Sequence, residues 1–109
     1  MIYTAASPSL AVLEVLVHLD LPPELIPNDY RLLSIYAPDD APIEELHDPP
    51  AEPLAVGDAF LSRGDALILR VPSAVVPQES NCLINPRHPA AARLRLAADE
   101  PFKFDARLF

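Results

Sequence analysis

The sequence predicts a small α+β domain: a mixed β-sheet of short strands, one strong helix and a few helical turns. Three observations predict it. Short alternating or apolar runs recur along the chain, several of them closed by a proline. One longer apolar run, Leu10–Leu19, has helix punctuation at both ends. Fourteen prolines against two glycines, in 109 residues that are half apolar, favour rigid turns around a real core. That length suits a single domain over residues 1–109 and leaves no room for two.

Ile2-Tyr3-Thr4 reads as a short opening strand. Ser7 is a good helix N-cap, and Pro8 suits the first helical position. The helix runs to about His18 and stops before Pro22-Pro23. Nearly every face of it is apolar, which predicts burial on most sides. The exception is the stripe Ser7, Ala11, Glu14 and His18, which shares one face at helical spacing. Such a stripe either faces solvent or lines a cleft, and solvent is the commoner arrangement.

Arg31–Ala37 alternates and reads as a strand. Residues 38–53 are acidic and proline-rich, which predicts a surface excursion with one helical turn near Ile43–Leu46. Gly57–Leu61 reads as a short helix ending near Gly64, and Ala66–Val71 as a strand ending at Pro72. Cys82–Asn85 reads as a further strand stopped by Pro86. Arg93–Leu96 and Phe102–Asp105 read as strands with one exposed face.

Eight basic and sixteen acidic residues give a formal charge of −8, which argues against direct nucleic-acid binding. No apolar run reaches the roughly 18 residues needed to span a bilayer, so no membrane partner is expected. Cys82 is the only cysteine and forms no internal disulfide, which fits a reducing cytoplasm. His18, His47, His88 and Cys82 do not make a zinc spacing, and the acidic residues of 39–52 do not make a calcium loop, so no metal is expected. Only Gly57 and Gly64 are present, so neither glycine-rich phosphate motif exists.

Glu14 is the residue most at odds with its surroundings. A carboxylate in an apolar helix loses hydration, which is costly unless a cleft or ligand supplies hydrogen bonds. Paired with His18 it suggests acid–base chemistry. Ser73, at a strand end in Val71-Pro72-Ser73-Ala74-Val75-Val76-Pro77, is placed to touch a ligand, or to bond its own turn. It lacks a Gly-x-Ser-x-Gly elbow, and nothing in the spacing fixes a triad with His18 or His88. Cys82 reads as a small core residue, and Asn81 and Asn85 as turn ties.

The order of these segments is more specific than any one of them. Ile2–His18, Val56–Leu61, Leu69–Pro89 and the closing Phe102–Leu108 together resemble the RES-domain proteins, along the whole chain. The resemblance implies an ADP-ribosyltransferase-like fold and a toxin of a toxin–antitoxin module. It implies NAD as substrate, with no separate cofactor, and phosphorolysis or hydrolysis of the nicotinamide–ribose bond with inorganic phosphate or water as acceptor. It also implies silencing by an Xre-type antitoxin protein.

By motif match the family's tyrosine, helix glutamate and serine fall on Tyr3, Glu14 and Ser73. These three are the expected catalytic and NAD-binding residues. A carboxylate such as Glu14 suits an oxocarbenium-like transition state or a ribose hydroxyl. Tyr3 would stack on or bond to the nicotinamide ribose, and Ser73 would bond a phosphate or the nicotinamide amide. The family's further arginine precedes its tyrosine strand and has no motif match here, with Arg31 and Arg70 the remaining choices. The resemblance therefore implies a domain shortened at its N-terminus. It leaves an alternative: an inactive module that only binds an antitoxin or self-associates through an open sheet edge.

Overall fold

The computed structural model describes residues 1–109. The architecture is α+β. Strand β1 (Ile2–Ala5) leads into helix α1 (Pro8–His18), then β2 (Arg31–Tyr36) and β3 (Ile43–Glu45). Helix α2 (Pro53–Arg63), β4 (Ile68–Pro72), β5 (Ser80–Ile84) and β6 (Arg95–Pro101) follow. Single 3-10 turns lie at Pro23–Leu25, Pro89–Arg93 and Ala106–Leu108.

Four strands form one sheet in the order β1-β5-β4-β3, and β2 pairs with β6 in a separate two-stranded ribbon. In the larger sheet β1–β5 and β5–β4 are antiparallel, while β3–β4 is parallel. Tyr3 faces Leu83 and Ala5 faces Asn81, so alternation puts Tyr3, Leu83 and Asn81 on one side of the sheet. Phe60 of α2 packs on that side with Ala66, Leu69 and Leu83. Ala41, Leu67, Ile68 and Ile84 make a second core cluster, with Cys82, Ala90, Ala91 and Leu94 packed against it.

Both helix ends follow local chemistry. Ser7 has an extended backbone and its hydroxyl accepts from the Leu10 N–H, with Pro8 at the first helical position. Helix α2 ends at Gly64, whose φ of 65° and ψ of 15° are left-handed.

Four expectations are corrected. The helical turn near Ile43–Leu46 is the strand β3, because Ile43–Glu45 pair with Ile68–Arg70 and propensity yields to the ladder. Arg93–Leu96 is not one strand: a 3-10 turn ends at Arg93 and β6 begins at Arg95. Phe102–Asp105 is not a strand: the Phe102 N–H extends the β2–β6 ladder by one bond, to the Tyr30 carbonyl at 2.9 Å, and beyond it the segment is irregular, with edge-on contacts of Phe104 to Tyr30 and Phe102. Helix α1 is not buried on most sides: Leu10 is fully buried, while Leu13, Val15 and Val17 are exposed. No helix is long and apolar enough to cross a membrane.

Candidate functional site

The site forms where α1 passes the β1–β5 pair. Glu14 is half-buried there, and three side chains from distant parts of the chain converge on its carboxylate. Asn81 Nδ2 donates to Oε1 at 2.8 Å. The Ser73 hydroxyl donates to Oε2 at 3.3 Å, and the Tyr3 hydroxyl to the same oxygen at 3.4 Å. The desolvation expected of this glutamate is thus offset by neutral donors. No cation shares in it. Arg31 is held by Asp99 at 2.6 Å and Arg70 by Glu45 at 2.7 Å, so both arginines are tied to other carboxylates.

Each donor is fixed by its own element. Asn81 is 1% exposed on β5, and the same amide nitrogen also donates to the Thr4 carbonyl at 3.2 Å. One side chain therefore ties α1 to β1. Ser73, also 1% exposed, accepts from the backbone N–H groups of Val75 and Val76, each at 3.1 Å. With those two bonds accepted and one donated to Glu14, its hydroxyl is fully used. Both readings of Ser73 hold at once: it closes its own turn and it touches the glutamate.

The loop that carries Ser73 is latched to the start of α1. The Ser7 hydroxyl donates to Glu79 Oε1 at 2.7 Å, and the Glu79 carbonyl accepts from the Ser73 N–H at 2.9 Å. The cap of the helix and the floor of the site are thereby one hydrogen-bonded unit.

Tyr3 is the open side of the site, 62% exposed. Burial of its hydroxyl end, the nearby Glu14 charge and the hydrogen bond to Glu14 all raise its phenol above the ordinary tyrosine range. At neutral pH it is a donor. The arrangement is a negative carboxylate, held in place from one side, beside a flat aromatic face open to a ligand.

The stripe on α1 divides. Ser7 and Glu14 turn toward the sheet and its loop, while His18 is exposed and makes no hydrogen bond to Glu14, so the acid–base pair does not form. His88 Nδ1 accepts from the Ala90 N–H at 3.0 Å, which commits it to a turn rather than to Ser73. Asn85 does tie a turn, through Arg87 N–H, but Asn81 lies within a strand and binds Glu14. Asn81 is the site residue that sequence reasoning misread. Its signal was there: a polar side chain in register with the apolar Leu83 on an alternating strand.

Comparison with known proteins agrees with the segment order. The RES domain family matches residues 1–105. A protein named Toxin Res from Pseudomonas putida is 41% identical over 99% of this chain and 79% of its own length. A Toxin Res from Yersinia enterocolitica is 38% identical, over 98% of this chain and 76% of its own. A protein from Sphingobium sp. named Prs ADP-ribosylating toxin is 32% identical, over 98% and 73%. The chain belongs to the RES-domain family.

Proposed function

We propose that this chain is a RES-type toxin that cleaves NAD at the nicotinamide–ribose bond, in the cleft of Tyr3, Glu14 and Ser73. The observation that carries the reading is the Glu14 carboxylate, fixed by Asn81, Ser73 and Tyr3 with no cation beside it. When the C1′–N bond breaks, nicotinamide leaves with the bonding pair and the ribose becomes oxocarbenium-like. A preorganised, uncompensated negative charge stabilises that cation. Phosphate or water then adds at C1′, giving an ADP-ribose phosphate or ADP-ribose.

In this scheme Glu14 faces the sugar and Tyr3 supplies a stacking face and a donor. Ser73, with its hydroxyl already spent, acts as a positioning residue for Glu14. One domain over residues 1–109 carries the site, and an Xre-type antitoxin protein would silence the toxin by covering the cleft. A cytoplasmic location follows from the NAD substrate. The Sphingobium relative is named for ADP-ribosylation of Prs. The same bond cleavage with a protein nucleophile in place of phosphate is the second reading.

The test is release of nicotinamide from NAD by the purified protein, with and without inorganic phosphate, and with Glu14→Gln alongside. The expected result is release that depends on Glu14. Unchanged turnover in the variant would remove Glu14 from the mechanism. An inert parent protein that still captures an Xre-type antitoxin would favour the binding module. Label from NAD appearing on a protein rather than on a small molecule would favour the second reading.

A further inference from the structure

We infer that Asn85 and Arg87 form a phosphate subsite at the far end of the same sheet face, one that takes the diphosphate of the dinucleotide; the assignment of its ligand rests on the NAD reading above. A hollow of about 210 Å³ lies there, lined by Met1, Leu61, Asn85, Pro86 and Arg87. It is smaller than the roughly 300 Å³ at which whole-ligand sites begin, so it suits one portion of a longer ligand.

Two of the lining side chains carry donors. Asn85 is only 2% exposed. Its Oδ1 accepts from the Arg87 N–H at 3.0 Å, which fixes the amide so that Nδ2 is turned away from that contact. Nδ2 donates to no protein group, and it is not sealed from the surface. A nearly buried amide with a free donor lining a hollow is a group built to meet an acceptor.

Arg87 supplies the charge. On a chain of net charge −8, an anion needs a cation that no carboxylate has already claimed. Of the eight Lys and Arg residues, five are in ion pairs: Arg31, Arg63, Arg70, Arg93 and Arg107. Arg87, Arg95 and Lys103 are not. Arg95 belongs to the separate β2–β6 ribbon, and Lys103 lines an apolar hollow beside the C-terminus. Arg87 alone sits at the end of the site's sheet face.

The spacing fits a dinucleotide. Asn81, Leu83 and Asn85 alternate onto one side, and the Asn85 N–H continues the ladder by donating to the Leu67 carbonyl at 2.8 Å. Asn85 is thus about 13 Å along the strand from Asn81, with the Tyr3–Leu83 pair between them. In NAD the diphosphate is one sugar removed from the bond to be cleaved. A ligand with its ribose at Glu14 and Tyr3 would run along this face toward Arg87. The attacking phosphate, by contrast, must reach C1′ itself, which favours the diphosphate as the occupant. Met1 and Leu61 of α2 complete the lining, and Met1 is packed so near α2 that a Cβ on Gly57 would meet its Cε at 3.1 Å.

Arg87→Gln is the variant to make, because Arg87 is exposed and unpaired and its loss leaves the fold intact. The expected result is a KM for NAD raised about tenfold at nearly unchanged kcat, as for one lost charge-assisted contact. Cleavage of nicotinamide riboside, which has no phosphate, is expected to be unaffected. Arg87→Lys should restore part of the KM. A rise in KM for inorganic phosphate alone would retain the phosphate chemistry but assign the subsite to the free anion. Equal losses on NAD and on the riboside would overturn the proposal, as would no change in any KM. Titration with ADP gives a readout that needs no turnover. Binding that Arg87→Gln weakens about tenfold, in a protein that cleaves no NAD, would sink the proposed activity and leave the subsite standing. ADP binding indifferent to Arg87 would sink the subsite.

Discussion

Asn81 donates to the Glu14 carboxylate at 2.8 Å across 67 positions of chain, and the same amide holds the Thr4 carbonyl at 3.2 Å. One nitrogen thereby joins α1, β1 and β5 at the point where the site forms. Both of its N–H groups are spent.

Asn81→Ala should therefore damage stability and site together. Losing both bonds leaves a half-buried carboxylate and a carbonyl under-satisfied, which should cost about 1–3 kcal/mol. Urea unfolding measures that part. If the proposed activity holds, kcat should fall more than KM rises, because Asn81 touches Glu14 and not the ligand. A variant with full stability and full turnover would contradict the account.

Tyr3 should titrate above the ordinary tyrosine value of about 10. Its folded form then holds its proton where the unfolded chain has lost it. That stabilisation is complete below about 10 and is lost as pH rises through the folded value. Glu14→Gln removes two of the three causes, the charge and the carboxylate acceptor, leaving burial. The tyrosinate absorbance titration of the variant should shift down toward the ordinary value. A curve that does not move would mean Glu14 and Tyr3 are not in contact in solution.

Leu10 is the one fully buried residue of α1. Leu10→Ala should cost about 2–5 kcal/mol, a large share of the roughly 5–15 kcal/mol typical of a domain. Trimming the exposed Val17 to Ala should cost far less. Equal effects in denaturant midpoints would show that the exposed face of α1 is covered in solution.

Gly64→Ala should cost about 1–2 kcal/mol through backbone strain alone. Its φ is 65°, and a Cβ there would meet nothing within 4 Å. Gly64→Asn should cost less, since Asn tolerates the left-handed region. Thermal unfolding of the two variants decides it.

Much of the fold was legible because its signals are local. Ser7 and Pro8 mark the start of α1, and Gly64 marks the end of α2, through capping chemistry written in adjacent residues. Strands β1, β4 and β5 showed in their apolar runs. The three motif residues Tyr3, Glu14 and Ser73 were named from the chain, and the structure brings them together.

Other features depended on partners far away in the chain. Ile43–Glu45 became a strand because β4 offered it a ladder, which no local pattern announces. The 3-10 turn at Pro89–Arg93 displaced the start of β6, and after the Phe102–Tyr30 bond the segment to Asp105 leaves the ladder for contacts among aromatic rings.

By itself the sequence determined the family, the α+β class, the helix ends and the oddity of a glutamate in an apolar helix, all carried by residue order and neighbour chemistry. Only the tertiary structure decided what Glu14 meets. Its partners lie 11, 59 and 67 positions away. Only the strand register brings Asn81 opposite Ala5, one alternation from Tyr3, and leaves Asn85 and Arg87 at the other end of that face.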